Sequence, residues 1–162
     1  MKHGAFLLTS GGIASRPRRT EPADASLVFA NMTRPNPPGS PVVLLVEDEP
    51  LVRITNVDIL HEAGFRVVDA NDADEAFEIL KRRSDVKVVL TDVVMPGSMN
   101  GFEFARLVAQ GWPEVGVLVI SGKTRPAHGD LPPRGAFLPK PYDPETLVNA
   151  LRDVVQTESS PG

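Results

Sequence analysis

The sequence contains no cysteine, and only three of its 162 residues are histidine. The absence of cysteine excludes disulfide scaffolds, thiolate catalysis and cysteine-ligated zinc sites. The histidines, His3, His61 and His128, are scattered and show no spacing typical of a metal site. No apolar run approaches the roughly 18 residues that a membrane helix requires, and the apolar stretch near the N terminus is too short for a signal peptide. We therefore predict a cytoplasmic protein without membrane contact.

Proline and charge are unevenly distributed along the chain. Six of the 16 prolines lie in residues 1–41 and six more in residues 121–144. Residues 1–40 carry five Lys or Arg against two acids, whereas residues 41–162 carry twelve against nineteen. An acidic region binds phosphate backbones poorly, so no direct DNA binding is expected. We predict a disordered extension over residues 1–40, one domain over residues 41–157 and a disordered tail over residues 158–162.

Short apolar segments alternate with segments of helical periodicity. The apolar run Val42–Val46 is typical of a strand buried on both faces of a parallel sheet. Pro50 suits the first turn of the following helix, and Gly64 suits its C-terminal cap. The pattern predicts further strands at residues 65–68, 86–90, 115–120 and 136–138, with helices from residue 71 or 72 and at residues 102–110 and 144–155. This order predicts an α/β protein with a doubly wound, five-stranded parallel sheet.

One expected helix has no counterpart in the sequence. Parallel strands are usually joined by a helix, but residues 123–135, between the fourth and fifth predicted strands, contain Pro126, Pro132 and Pro133. Proline lacks an amide donor and clashes in helix interiors. We predict only a turn or a short helix there.

Five polar residues follow the predicted strands and carry the candidate chemistry. Glu47 and Asp48 follow the first strand, Asp92 the third, Ser121 the fourth and Lys140 the fifth. In open parallel sheets, ligands bind beyond the carboxyl ends of the strands. Each residue alone would also suit a helix cap or a solvated loop, but the five together indicate one site.

The charges of this set favour a divalent cation. Three carboxylates and one ammonium give a net charge of about −2, and Mg²⁺ prefers oxygen ligands. A carboxylate beside bound Mg²⁺ is suited to attack a phosphoryl group. The protein then needs mainly to position the carboxylate and to stabilise the negative charge on the phosphoryl oxygens.

Four segments resemble the receiver domains of bacterial response regulators in two-component signalling. They are residues 43–50 (VLLVEDEP), 91–96 (TDVVMP), 120–122 (ISG) and 137–142 (FLPKPY). The resemblance covers about residues 42–156. Within the family, the sequence is similar to the stand-alone, single-domain type with a degenerate fourth helix. It implies a flavodoxin-like sheet with strand order 2-1-3-4-5.

The resemblance also implies a role for each site residue. Asp92 is then the phospho-acceptor, which receives its phosphoryl group from a sensor histidine kinase or a phosphotransfer protein. Asp48, Asp92 and the backbone carbonyl of Val94 would bind Mg²⁺ directly, and Glu47 would act through water. Ser121 and Lys140 would hold the phosphoryl oxygens.

The family's switch aromatic corresponds to Phe137, which is expected to turn inward when the hydroxyl moves toward the phosphate. A cis Lys140-Pro141 bond is also implied, and proline is the residue at which cis bonds occur. Two departures stand out. The loop after Asp92 is one residue longer than usual, and Val94 cannot orient an attacking water, so we predict slow hydrolysis of phosphorylated Asp92.

The function expected from these features is that of a phosphorelay response regulator. Only six residues follow Gln156, so we expect no output domain, and enzymatic activity limited to the protein's own phosphorylation and dephosphorylation. Such a protein signals by binding an unknown downstream protein, or acts as a phosphate sink or relay. Two alternatives are an aspartyl-phosphate-forming phosphotransferase or phosphatase on small substrates, and a binding module independent of phosphorylation.

Overall fold

The computed structural model describes residues 36–157, in which five strands alternate with four helices. The elements are β1 (Val42–Val46), α1 (Pro50–Glu62), β2 (Arg66–Ala70), α2 (Ala73–Arg82), β3 (Val86–Asp92), α3 (Gly101–Gly111), β4 (Gly116–Ser121), β5 (Gly135–Pro139) and α4 (Pro144–Gln156). The disorder predicted for residues 1–40 and 158–162 falls, apart from residues 36–40, outside the described residues. Among the described helices, none has the length and apolar character needed to span a membrane.

The strands form one parallel sheet in the order β2-β1-β3-β4-β5, which confirms the predicted topology. Val46 pairs with Thr91, Asp92 with Ile120, and Ser121 with Pro139. This register places the carboxyl ends of β1, β3, β4 and β5 at one edge of the sheet.

Both faces of the sheet are covered. Val42, Leu44 and Val46 face a core shared with α2 and α3, which includes Leu80 and Phe104. Val43 and Leu45 face a second core, shared with α1 and α4. All five residues of β1 are buried, because a central strand of a doubly wound sheet is covered on each side.

The second strand begins later than predicted, at Arg66 instead of residue 65. Gly64 adopts a φ of 93° and donates its N–H to His61 O at 3.0 Å, and Phe65 donates to Leu60 O at 2.9 Å. These two bonds form a Schellman cap at the end of α1. Phe65 therefore belongs to the cap, whereas the predicted role of Gly64 is confirmed.

The connection between β4 and β5 contains no helix, as predicted. Asp130 accepts the N–H of Ala127 at 2.7 Å and forms an ion pair of 3.1 Å with Arg106 of α3. Leu131 packs against the core shared with α2 and α3. Because proline prevents the helical hydrogen-bond ladder, turns and side-chain contacts order this connection instead.

Candidate functional site

Asp92 is the last residue of β3, and its carboxylate lies at the carboxyl edge of the sheet. Its Oδ2 accepts a hydrogen bond from Lys140 Nζ at 2.5 Å, and its Oδ1 accepts the N–H of Val94 at 3.2 Å. The backbone N–H of Lys140 donates to Ser121 O at 2.9 Å, which extends the pairing of β5 with β4. This pairing directs the Lys140 side chain across the sheet edge to Asp92.

The surroundings of Lys140 hold its ammonium in the charged form. Burial acts to lower the pKa of Lys140, but the hydrogen bond and negative charge of Asp92, with the charge of Glu47, raise the pKa above its ordinary value. The Lys140-Pro141 bond is cis, as predicted. At neutral pH the site thus contains a fixed positive charge next to Asp92.

Glu47 is the most buried carboxylate of the set, with 2% of its surface exposed. Its backbone N–H donates to Ala70 O at 3.1 Å, and its Oε1 accepts the N–H of Glu49 at 3.1 Å. Within residues 36–157, its buried Oε2 has no hydrogen-bond partner. Burial raises the pKa of Glu47, as do the charges of Asp92 and Asp48, against the opposing effects of the Glu49 N–H and Lys140.

The donor chemistry of this edge fits Mg²⁺. Asp48 is exposed beside buried Glu47, and the candidate ligands all present oxygen atoms, which Mg²⁺ prefers. Within residues 36–157 the buried Oε2 of Glu47 has no hydrogen-bond partner, and a hydrated cation would supply one. In residues 36–157, however, no three acidic, histidine or cysteine side chains are arranged as a ready-made metal cluster. Lys140 already donates to Asp92 Oδ2 in this arrangement.

Ser121 lies where the sequence predicts, at the end of β4, but its hydroxyl serves its own loop. Ser121 is 2% exposed, and its Oγ accepts the N–H groups of Lys123 at 3.3 Å and Thr124 at 3.1 Å. The structure therefore brings Asp92, Lys140 and Glu47 together, whereas the Ser121 hydroxyl forms a local turn.

Phe137 is half-buried and packs against the core shared with α2 and α3. Its ring stacks on Phe102 of α3, with centroids 6.5 Å apart and planes 29° from parallel. The guanidinium of Arg125 lies 5.6 Å from the centroid of Phe137. The aromatic ring thus connects β5, α3 and the loop that Ser121 caps.

Two residues that support the site were missed by the sequence analysis. A Cβ at Gly101 would lie 2.1 Å from the carbonyl oxygen of Asp92, so only glycine fits there. Arg53 of α1 donates to the carbonyl oxygen of Glu47 at 2.9 Å. The sequence offered one signal for Gly101: the preceding Asn100 and following Glu103 form a capping box that starts α3 against β3.

The long loop after Asp92 is attached to α2. Ser98 donates its N–H to Asp74 Oδ2 at 3.1 Å and its hydroxyl to Asp74 Oδ1 at 2.6 Å. Val94, in the same loop, is 63% exposed beside the Asp92 carboxylate. The longer loop is therefore an ordered wall of the site.

Comparison with known proteins gives the same family. The family model "Response regulator receiver domain" matches residues 43–152. The sensor kinase CckA of Brucella abortus (strain 2308) is 34% identical over 124 residues, which are 74% of this chain and 13% of the kinase. The response regulator receiver protein CpdR of the same organism is 31% identical over 116 residues, 70% of this chain and 95% of CpdR.

A solved structure agrees with these sequence matches. The chemotaxis protein CheY4 of Vibrio cholerae shares 31% identity with a TM-score of 0.62, over 72% of this chain and 99% of that protein. The chain spans only a small part of CckA but nearly all of CpdR and CheY4. By its sheet order, its carboxylate and lysine edge and these matches, the chain belongs to the response regulator receiver domain family.

Proposed function

We propose that Asp92 accepts a phosphoryl group from the phosphohistidine of a sensor histidine kinase or phosphotransfer protein. The contact between Lys140 Nζ and Asp92 Oδ2 at 2.5 Å carries this proposal, since it pairs a nucleophilic carboxylate with a fixed cation. One Asp92 oxygen attacks phosphorus, the phosphorus–nitrogen bond breaks, and its electron pair returns to the imidazole ring. Lys140 then donates to a phosphoryl oxygen.

The acidic residues would hold Mg²⁺ on the other side of Asp92. Asp48, Asp92 and the Val94 carbonyl are proposed as direct ligands, with Glu47 acting through water. The unpartnered Oε2 of Glu47 supports this arrangement. When bound, Mg²⁺ neutralises charge on the carboxylates and on the transferred phosphoryl oxygens.

Ser121 and Phe137 would respond to phosphorylation of Asp92. The Ser121 hydroxyl would leave the N–H groups of Lys123 and Thr124 and bind a phosphoryl oxygen. Phe137 packs under the same loop through Arg125, so this change would reach the surface at β5. An unidentified downstream protein would bind at that surface.

The match with CpdR, of which the chain spans 95%, supports a proposal for how this domain signals. A stand-alone receiver in the cytoplasm, formed by residues 41–157, would signal by binding a partner or would drain and relay phosphate. We expect no direct binding to DNA, given the acidic balance of residues 41–162.

Acetyl phosphate with MgCl₂, followed by intact mass spectrometry, tests the phospho-acceptor. The wild-type chain should gain the mass of one phosphoryl group, and Asp92→Asn should gain none. Asp85→Asn, a matched change just before β3, should retain the adduct. An adduct on Asp92→Asn contradicts the assignment, and rapid turnover of a phosphate ester without any adduct supports a small-substrate enzyme.

The lifetime of the adduct depends on Val94, which is exposed beside Asp92. An aliphatic side chain offers an attacking water no hydrogen bond. Val94→Asn should shorten the lifetime of phosphorylated Asp92, measured by the decay of the adduct after removal of acetyl phosphate. The same lifetime in both proteins contradicts the predicted role of Val94.

A further inference from the structure

Arg53 of α1 connects the loop that carries Glu47 and Asp48 to the neighbouring strand β2. Its guanidinium donates to Glu47 O at 2.9 Å and to Asn71 Oδ1 at 2.6 Å, and its Nε lies 3.2 Å from Asp69 Oδ2. The Arg53 side chain is only 18% exposed, whereas the Asp69 side chain is 54% exposed. Arg53 therefore makes one inward contact, with the Glu47 carbonyl, and two contacts along β2 and its loop.

We propose that Arg53 is a positioning residue for Mg²⁺, and that it acts by fixing the backbone of Glu47. This inference rests on the proposed metal site and adds a residue from outside the set of ligands. The residue pattern indicates no role for Arg53, since it lies inside α1, away from the strand ends.

The hydrogen bonds of Glu47 show what Arg53 contributes. The N–H of Glu47 donates to Ala70 O, its Oε1 accepts from Glu49, and its carbonyl oxygen accepts from Arg53. Among the polar groups of Glu47, Oε2 is buried and has no hydrogen-bond partner within residues 36–157. The residue is thus fixed at three polar groups, which leaves one carboxylate oxygen available to the metal shell.

Repulsion among the carboxylates of the site makes the contact between Arg53 and the Glu47 carbonyl important. Glu47 and Asp48 follow β1, and Asp92 ends the neighbouring strand β3, so three negative charges share one edge of the sheet and repel one another. The contact of Arg53 with the Glu47 carbonyl opposes this repulsion, because it holds the backbone of Glu47 in place. The guanidinium provides several donors in a fixed plane and can bind the Glu47 carbonyl and Asn71 at the same time.

The partners of Arg53 are themselves held in place. Glu75 of α2 accepts both the backbone N–H and the side-chain Nδ2 of Asn71, each at 2.8 Å. This orients Asn71 Oδ1 toward Arg53. A continuous chain of hydrogen bonds therefore runs from α2 through Asn71 and Arg53 to the Glu47 carbonyl.

A titration with MgCl₂, followed by amide NMR signals of Glu49 and Val94 in the full chain, tests this role. Arg53→Met should raise the Kd for Mg²⁺ about tenfold, in the range typical of residues that orient metal ligands. Arg53→Lys, which keeps the charge but not the planar fork, should give an intermediate Kd and covers the case in which Arg53→Met does not fold.

Asp69→Asn is the matched control, because it removes the exposed ion pair of Arg53 and leaves the Glu47 contact. It should change the Kd less than about twofold, as expected for an exposed pair. Wild-type affinity in both Arg53 variants, or an equal loss in Asp69→Asn, overturns the inference. A wild-type chain whose signals do not respond to MgCl₂ instead overturns the proposed metal site, and the role of Arg53 with it.

Discussion

Two halves of the site differ in how their polar groups are used. The acidic half consists of Glu47, Asp48, Asp92 and Lys140, and the hydroxyl half consists of Ser121 with the loop that follows it and Phe137. In the acidic half, Lys140 already contacts Asp92 across the sheet edge. In the hydroxyl half, the Ser121 hydroxyl is bound to the N–H groups of Lys123 and Thr124.

The difference arises from what holds each half. The acidic half is fixed by the register of the sheet and by contacts of α1 and α3 with its backbone, so it is formed without a bound phosphoryl group. The hydroxyl half is held by hydrogen bonds within one loop, and under the proposed function a phosphoryl group would replace them. Substitutions that disturb the acidic half should therefore change stability more than those in the hydroxyl half.

The largest expected effect comes from Gly101→Ala. The new Cβ would lie 2.1 Å from Asp92 O and 2.9 Å from Val93 Cα, and these backbone atoms belong to β3 or follow it directly. Overpacking against backbone should lower the free energy of unfolding by about 3 kcal/mol or more. Urea denaturation measures this loss.

Gly111, at the other end of α3, provides the control. A Cβ there has no heavy atom within 4 Å, so Gly111→Ala should be neutral or stabilising by up to about 1 kcal/mol. Equal stabilities for the two alanine variants would show that the backbone at the end of β3 shifts at little cost to accommodate a Cβ. The acidic half would then not be fixed by this contact.

Glu47→Gln should have the next largest effect, in the opposite direction. Burial, with the charges of Asp92 and Asp48, raises the pKa of Glu47, so the folded state favours the protonated form. That advantage is present below the unfolded pKa and is lost as the pH rises through the folded pKa. At neutral pH the carboxylate therefore destabilises the metal-free fold, and Glu47→Gln should be more stable than the wild type.

Thermal unfolding with and without MgCl₂ measures this effect. Without the metal, Glu47→Gln should unfold at a higher Tm than the wild type, and MgCl₂ should stabilise the wild type more. A lower Tm for Glu47→Gln without metal would indicate that the carboxylate is already satisfied, and would remove the contrast between the two halves.

The sequence predicted the acidic half because its information is local. The apolar run of β1 determines where Glu47 and Asp48 lie, and the end of β3 determines the position of Asp92. The proline content of residues 123–135 likewise predicted the missing helix. In each case, the residue pattern of one segment is sufficient to predict the structure of that segment.

The other features depend on distances between segments that are remote in the sequence. The contact between Gly101 and Asp92 requires the path of the loop between them, and the contact of Arg53 with Glu47 requires the rotation of α1. The Ser121 hydroxyl binds the N–H of Thr124 in its own loop, and a residue pattern does not show which partner a hydroxyl takes.

Arg125→Ala tests the hydroxyl half and should have a smaller effect. The guanidinium lies 5.6 Å from the centroid of Phe137, an interaction worth about 0.5–1 kcal/mol at an exposed site. The variant should lose no more than this in urea denaturation, while the ring signals of Phe137 shift in the NMR spectrum. Arg125→Lys, which keeps a cation, should preserve most of the stability. A loss as large as that of Gly101→Ala would place this loop among the fixed parts of the site.

The smallest effect is expected at Asp74, which holds the loop after Asp92 through Ser98. The hydroxyl and N–H of Ser98 lower the pKa of Asp74. The stabilisation by this carboxylate is therefore present above the unfolded pKa and lost as the pH falls through the folded pKa. Asp74→Asn should unfold at a slightly lower Tm than the wild type at pH 7. The difference should disappear when the pH falls below the pKa of Asp74 in the folded state.

Asp58→Asn removes the same charge from an exposed position of α1 and corrects for the change in net charge. A difference in Tm that is the same at acidic and neutral pH would show that the Asp74 carboxylate does not hold this loop, and that contacts such as the one between the Val94 N–H and Asp92 are sufficient to order it.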